Sequence, residues 1–300
     1  MQNHRPTLFL TWLFVSLGIL VSNRPIQSAE PASVFSKDNL VAWCIVPFDA
    51  KKRTPVERAE MLRRLGLTKV AYDWRNEHVE SFEAEIIAYE KNDLEFFAFW
   101  DVHESMFELF KKYKIAPQVW KMLPQPEGKS QTERVESVAK RFLPLVKRTK
   151  ELGCKLGIYN HGGWTGEPEN MVAVIQWLRA NTEAEHVGIV YNFHHGHEHI
   201  ERFANLFSKM QPYLLCVNIN GMNDQAKPKI LELGQGKHER SMLKMVKDSG
   251  YEGPIGILDH RSELDAEAVL KGNLQGLMKI LIEADDTSAL STFVELKPLR

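Results

Sequence analysis

Three scarcities limit what this chain can be. Only three of its 300 residues are cysteine, and the spacings of Cys44, Cys154 and Cys216 match neither a disulfide framework nor a metal motif. Because each lies in or beside an apolar strand-like run, we expect three small buried hydrophobic side chains. Lysine and arginine (38) nearly balance aspartate and glutamate (39), and no long basic run is present. This balance excludes the charge pattern of a nucleic-acid partner.

Long apolar runs are also scarce. The run Leu8–Val21 follows Arg5 and is followed by a polar stretch that ends in Ser28 and Ala29. A basic start, an apolar segment slightly short for a bilayer and a small-residue exit are typical of a secretory signal peptide, which we assign to residues 1–29. We expect a periplasmic or secreted protein with no membrane contact after cleavage. An uncleaved membrane anchor is the alternative.

Apolar strand-like runs alternate with helical patterns from residue 40 to residue 282. The eight predicted strands are 40–46, 69–73, 94–100, 117–122, 155–159, 187–193, 213–219 and 254–258. Each is followed by a helical pattern, and this strict alternation predicts an α/β fold with a single (β/α)8 TIM barrel over residues 30–290 and a C-terminal tail at 291–300.

A doubly wound open sheet is the alternative fold. Such a sheet usually carries a glycine-rich phosphate turn after its first strand, and the sequence at 46–50 lacks one. The closed barrel is therefore the better prediction.

Polar and aromatic side chains follow the predicted strands at their carboxyl ends, which meet at one mouth in a TIM barrel. Indoles stack on sugar rings and amides pair with hydroxyls, so this composition predicts a small carbohydrate or keto-sugar ligand. The residues expected to contact it are Asp73, Trp100, Trp120, Asn160, Trp164, Asn192, Asn218 and Asn220.

Histidines give the sharpest signal. His194 and His195 stand directly at the end of the sixth strand, where we expect them to face the site. His161 lies between an asparagine and two glycines at the end of the fifth strand. His197 and His199 are expected in a solvated loop that leads into the next helix.

Residues 156–164, 187–199 and 253–260 resemble, in this order on successive units, the xylose-isomerase-like superfamily of sugar isomerases and epimerases. The resemblance covers nearly the whole mature chain and is strongest to secreted bacterial members of unassigned substrate. It implies a divalent metal held by Glu, Asp, His and Glu from strands five to eight. It also implies that the two glutamates move a proton in an enediol mechanism.

At these positions the chain departs from the superfamily's pattern. Tyr159 stands where the first Glu would be, Asn192 replaces the Asp, Asn218 replaces the His, and the last Glu aligns with Leu258 or Asp259. Tyrosine and asparagine are poor replacements for anionic ligands of a hard cation.

Strand alternation offers another donor set. Residues two positions beyond the replaced ligands share their inward direction, and these include His161, His194 and His260. Three imidazoles with open positions would suit Zn, Mn, Co or Fe. The candidates for moving protons are His161, His195, Asp259 and Lys121.

The predicted function is an exported enzyme of the sugar isomerase/epimerase type, which abstracts a proton next to a sugar carbonyl with the help of a divalent metal. Two alternatives stay open: a lyase that eliminates from a keto-glycoside through the same enediolate, and a sugar-binding barrel without catalysis.

Overall fold

The computed structural model describes Met1 and residues 33–293. Residues 2–29 of the predicted signal peptide and residues 294–300 of the predicted tail lie outside the described residues. Within the described part, no helix combines the length and the apolar character needed to cross a membrane.

Eight parallel strands close into one barrel, with each strand paired to its sequence neighbours and β8 paired back to β1. The strands are β1 Leu40–Trp43, β2 Lys69–Tyr72, β3 Glu95–Trp100, β4 Gln118–Lys121, β5 Leu156–Tyr159, β6 Val187–Asn192, β7 Leu214–Ile219 and β8 Ile255–Leu258. The predicted (β/α)8 barrel is confirmed, and the open sheet is wrong.

Helices connect the strands on the outside. They are α1 Pro55–Leu65, α2 Phe82–Lys91, α3 Glu104–Tyr113, α4 Gln131–Glu151, α5 Gly163–Gly166, α6 Pro168–Asn181, α7 Phe203–Met210, α8 Glu239–Asp248, α9 Ala266–Glu283 and α10 Thr287–Leu290. Local sequence explains their ends. A capping box of Thr54 and Glu57 opens α1, and Gly66 closes it at φ +67°, a conformation that costs glycine little.

Alternate side chains of each strand separate the core into two parts. Val41 and Trp43 of β1 point into the barrel, whereas Leu40 and Ala42 pack outward against the helices. The three cysteines are buried and unbonded, as predicted.

Four of the eight strands, β1, β2, β4 and β6, end earlier than the apolar pattern predicts. β1 stops at Trp43 rather than residue 46, because Cys44 adopts a left-handed backbone (φ +58°). The helix predicted at 198–210 begins as a 3₁₀ turn, His197–Arg202, before α7. At the other end of the chain, the 3₁₀ turn Ser291–Phe293 buries Phe293, so the packed domain extends three residues into the predicted tail.

Candidate active site

A cavity of about 80 Å³ lies at the carboxyl ends of the strands. This volume corresponds to about three water molecules, so it can accept part of a sugar ring. The side chains that line it are Trp43, Cys44, Phe48, Asp73, Arg75, Trp100, Tyr159, His161, Asn192, His194, His195 and His260. Seven predicted site residues are therefore brought together: Asp73, Trp100, His161, Asn192, His194, His195 and His260.

Three of the nine described non-glycine residues with positive φ closely follow barrel strands at this mouth. Cys44 after β1, Asp101 after β3 and His260 after β8 have φ values of 58°, 62° and 69°. Residues other than glycine adopt this left-handed conformation at an energetic cost. Strained residues of this kind cluster at functional sites. The strain therefore marks the same barrel end as the cavity.

Four imidazoles, which we call the histidine row, follow one another along the cavity wall. Ring centroids are 4.3 Å apart for His161 and His195, 4.4 Å for His195 and His194, and 4.7 Å for His194 and His260. Burial, followed by neighbouring positive charge, lowers the pKa of His194 to about 2, of His195 to about 3 and of His260 to about 4. These three rings are therefore neutral at pH 7.

The three-histidine metal site predicted at His161, His194 and His260 does not form. Among the described residues, no three side chains of His, Cys, Asp or Glu are grouped so that they could hold a metal ion. Neighbouring imidazole centroids are 4.3–4.7 Å apart, and Tyr159 and Asn192 fill positions where the resemblance implies carboxylates. The residues present do not fit a divalent metal centre.

Asp73 brings a carboxylate to the cavity. Its side chain is 2% exposed, Oδ1 accepts a hydrogen bond from the Val46 amide at 3.3 Å, and Oδ2 has no partner among the described residues. Burial raises the pKa of Asp73 to about 6, against the opposing effect of the Arg75 charge. An incompletely bonded carboxylate that titrates near neutral pH is suited to accept a proton.

Tyr159, the last residue of β5, reaches the same cavity. Its phenolic oxygen accepts a hydrogen bond from Trp43 Nε1 at 3.2 Å and another from Asn192 Nδ2. Trp100 packs on it with ring centroids 4.6 Å apart. Tyr159 thus contacts both aromatic and polar side chains of the cavity.

Five lining side chains were not predicted as site residues: Trp43, Cys44, Phe48, Arg75 and Tyr159. Trp43 and Tyr159 end strands in the inward direction, so the strand alternation could have found them. Phe48 and Arg75 lie in loops. Arg75 lies 5.4 Å above the Phe48 ring, whose centroid is 4.0 Å from that of His260. No pattern in the sequence predicts that Arg75, Phe48 and His260 lie against one another.

Three of the predicted amide contacts do not line the cavity. Asn160 is fully buried and holds β6 in place, because its side chain donates to the Asn192 carbonyl (3.1 Å) and accepts from the Asn192 amide (2.6 Å). Asn218 and Asn220 are also fully buried, beside Cys216 and Gly221. Their expected contact with a ligand is not supported, since both side chains are buried and neither lines the cavity.

Two tryptophans and two proton-transfer candidates also lie elsewhere. Trp120 is fully buried beneath Trp43, at a centroid distance of 4.8 Å, and Trp164 donates from Nε1 to Gln131 (3.0 Å) on the rim. Lys121 forms an ion pair with Asp101 outside the cavity.

Asp259 is fully buried and does not line the cavity. Oδ1 accepts from the Arg261 amide at 3.3 Å, and Oδ2 has no partner among the described residues. Burial raises its pKa to about 8, so Asp259 is predominantly protonated at pH 7. The Asp259 side chain therefore has no access to a ligand in the cavity, which its expected role in proton transfer requires.

The expectation that His197 and His199 are solvated is wrong. His197 places Nδ1 2.9 Å from the Asn223 carbonyl and Nε2 3.0 Å from the Lys229 carbonyl. His199 bonds the Tyr191 hydroxyl at 3.0 Å. Both are buried, because the 220–236 loop covers the turn that carries them.

No protein-family model and no curated protein sequence matches the chain. Solved structures do. The IolI protein with a bound zinc atom matches with a TM-score of 0.62 and 14% identity over 81% of this chain and 98% of that chain. At 14% identity, this match is evidence for a shared fold. The chain has the xylose-isomerase-like barrel fold.

Two further structures show the same barrel. The 3-keto-D-glucoside 4-epimerase YcjR from E. coli has a TM-score of 0.58 and 12% identity, over 82% of this chain and 99% of that chain. A xylose isomerase domain protein from Alicyclobacillus acidocaldarius has a TM-score of 0.53 and 16% identity, over 82% and 98%. At these identities the likeness concerns the fold.

Proposed function

We propose that this protein is a carbohydrate-active enzyme of the isomerase/epimerase type, which abstracts a proton from the carbon next to a sugar carbonyl. The observation that carries the proposal is the buried Asp73 carboxylate, which lines the cavity with Oδ2 unbonded among the described residues. The epimerase activity of a structural neighbour supports the same reaction class.

Asp73 is a better base than the histidine row. A general base is most effective when its pKa lies near the working pH. The Asp73 carboxyl has a pKa of about 6, whereas the His194 and His195 rings have pKa values of about 2 and 3 and hold a proton weakly. The neutral imidazoles are instead suited to hydrogen-bond sugar hydroxyls, and Trp100 offers an apolar ring face.

No three described His, Cys, Asp or Glu side chains are grouped to hold a divalent metal, and the proposed proton transfer is assigned to protein side chains. Asp73 would remove the proton from carbon, the electron pair would move to the carbonyl oxygen, and the carboxylic acid would return the proton to the same or the neighbouring carbon. Return to the neighbouring carbon, with the hydroxyl proton passing to the former carbonyl oxygen, gives an isomer. An epimer forms when a water molecule or a second acid reprotonates the same carbon on its opposite face.

The test is solvent-deuterium incorporation. Wild-type protein incubated in D2O with a panel of ketoses, aldoses and 3-keto-glucosides should label at least one sugar next to its carbonyl, as read by NMR. Asp73→Asn should lower the labelling rate about 10²–10⁴-fold. Because the base acts when ionised, kcat/KM should rise with pH up to about 6 and then level off.

Asp265→Asn is the matched control, since Asp265 is a carboxylate at the same barrel end that pairs with Lys51 and Arg53. It should keep the wild-type rate. Sugar affinity without any labelling would refute the enzyme and favour a binding barrel. Activity that disappears on chelation and returns with a stoichiometric metal would refute the assignment of the reaction to protein side chains alone.

A lyase is the second candidate, favoured by a groove beside the cavity. Trp74, Asn76, Glu77 and Asp101 line this groove together with Arg75 and Trp100, and the last two also line the cavity. A glycoside could place its carbonyl-bearing ring at the cavity and its second group in the groove. Elimination of that group from the enediolate would give an unsaturated keto-sugar, which ultraviolet absorbance would detect.

We also propose that the protein acts outside the cytoplasm. Support comes from the sequence at residues 1–29, with its basic start, apolar segment and small-residue exit. N-terminal sequencing of protein from a periplasmic fraction should begin near Glu30. Full-length protein in the membrane fraction would show an anchor instead.

A further inference from the structure

We propose that the Tyr159 hydroxyl donates a hydrogen bond to the oxyanion that forms when the substrate's carbonyl carbon gains electron density. The inference rests on the proposed function and adds a catalytic residue to it. Tyr159 lines the cavity with Asp73, at the position where the resemblance implies a metal-binding glutamate.

The direction of the hydrogen bonds around Tyr159 is determined by groups that can only donate. An indole N–H has no acceptor capacity, so Trp43 Nε1 must donate to the phenolic oxygen. The His194 backbone amide donates to Asn192 Oδ1 at 3.0 Å, which places the NH2 group of Asn192 against Tyr159. The phenolic oxygen therefore accepts two hydrogen bonds.

The phenolic proton is left to donate. No described residue accepts it, although the phenolic oxygen is buried in the cavity wall. Burial raises the pKa of Tyr159 well above its ordinary value, so the proton stays on the oxygen at neutral pH. Two donors to the same oxygen polarise the O–H bond and strengthen it as a donor.

This arrangement supplies electrostatic stabilisation for the proposed reaction. Asp73 takes the proton from carbon, the C–H electron pair forms the enediolate, and the negative oxygen accepts the hydrogen bond from Tyr159. The phenol keeps its proton, so atoms and charges balance without a further reactant. A fixed donor aimed at developing charge in a buried site is worth about 10²–10³-fold in rate.

The decisive variant is Tyr159→Phe, which removes only the hydroxyl. With the sugar that the wild type labels in D2O, kcat should fall about 10²–10³-fold. KM should change less than about threefold, because the hydrogen bond strengthens in the transition state.

A second variant keeps the tyrosine and reverses its bonding. In Asn192→Asp the new carboxylate would accept both the His194 amide proton and the phenolic proton, so Tyr159 would no longer donate into the cavity. We expect a loss of kcat as large as that of Tyr159→Phe. Unchanged activity in Asn192→Asp would overturn the proposal even if Tyr159→Phe were misfolded.

Tyr191→Phe is the matched control. Tyr191 is a buried tyrosine on the neighbouring strand, bonded to His199 on the outer side of the barrel. It should keep the wild-type kcat. Wild-type labelling together with a Tyr159→Phe rate within about threefold of wild type would overturn the role of Tyr159. No labelling by the wild type would instead overturn the proposed function itself.

Discussion

Two halves of one short segment, 193–199, use the same side chain in different ways. His197 and His199 have partners for their ring nitrogens in neighbouring loops and in Tyr191. Nδ1 of His194, in contrast, is buried without a partner among the described residues, and the ring lines the cavity. Within this segment, the histidine that lines the cavity differs from its two neighbours in the hydrogen bonds of its ring rather than in residue type.

The carboxylates at the same barrel end also fall into two groups, one with bonded oxygens and one with an oxygen that has no partner among the described residues. Asp49 accepts from the Arg53 guanidinium at 2.8 Å and from the Ala266 amide at 3.2 Å, and Asp265 pairs with the same arginine. Asp73 and Asp259 each keep one oxygen without a partner among the described residues. Asp49 and Asp265 stabilise the loops through their bonds. For Asp73 and Asp259, burial makes the ionised form of the carboxyl unfavourable.

The largest stability effect should come from Asp259→Asn. The folded pKa of Asp259, about 8, lies above its ordinary value of 3.8. The ionised form is therefore disfavoured in the fold, and stability is lost as pH rises between about 4 and about 8. At pH 8 the variant should exceed the wild type in free energy of unfolding by on the order of 3 kcal/mol.

Urea unfolding across this pH range checks the prediction, with the two proteins converging near pH 4. Asp265→Asn should act in the opposite direction, because its ion pairs lower the pKa of Asp265 to about 2, and it should cost about 1 kcal/mol at pH 7. Parallel stability curves for Asp259→Asn and wild type would remove the contrast between the two pairs of carboxylates.

Substitutions of His197 and His194 should have effects of intermediate size, and the two should affect different properties. His197→Gln should lower the free energy of unfolding by about 1–3 kcal/mol, because the ring lies between the carbonyls of Asn223 and Lys229 and at least one of them loses its donor. The rate of sugar labelling should stay within about twofold of wild type. Chemical denaturation and the labelling assay measure the two quantities.

His194→Gln should show the reverse pattern. Its ring has an unbonded buried nitrogen in the cavity, so the variant should lose about tenfold in kcat/KM, equivalent to one hydrogen bond, with less than about 1 kcal/mol lost in stability. If His197→Gln proved the more damaging to activity, the division of the segment into site and support would be incorrect.

The smallest effect should come from Lys121→Gln. The Lys121 side chain is 30% exposed and pairs with Asp101 outside the cavity. A surface ion pair contributes about 0–1 kcal/mol, so both stability and labelling rate should change little. A loss of activity beyond about tenfold would restore Lys121 as a proton-transfer candidate.

Strand alternation made the fold predictable, but it located the site only in part. Apolar runs placed the eight strands within three residues of their observed bounds, since burial of one strand face is a local property of sequence. The same logic failed for Asn218 and Asn220, which were expected to contact a ligand but are buried and do not line the cavity. Depth along the barrel depends on where each strand ends.

The sequence by itself determined the closed barrel, the end that carries the chemistry and the replacement of anionic ligands by Tyr159 and Asn192. Only the tertiary structure decided which polar atoms are bonded. Partners of His197 come from a loop some 30 residues away, and the donors to Tyr159 come from β1 and β6. Hydrogen-bond saturation is set by contacts between distant segments, and no local pattern encodes it.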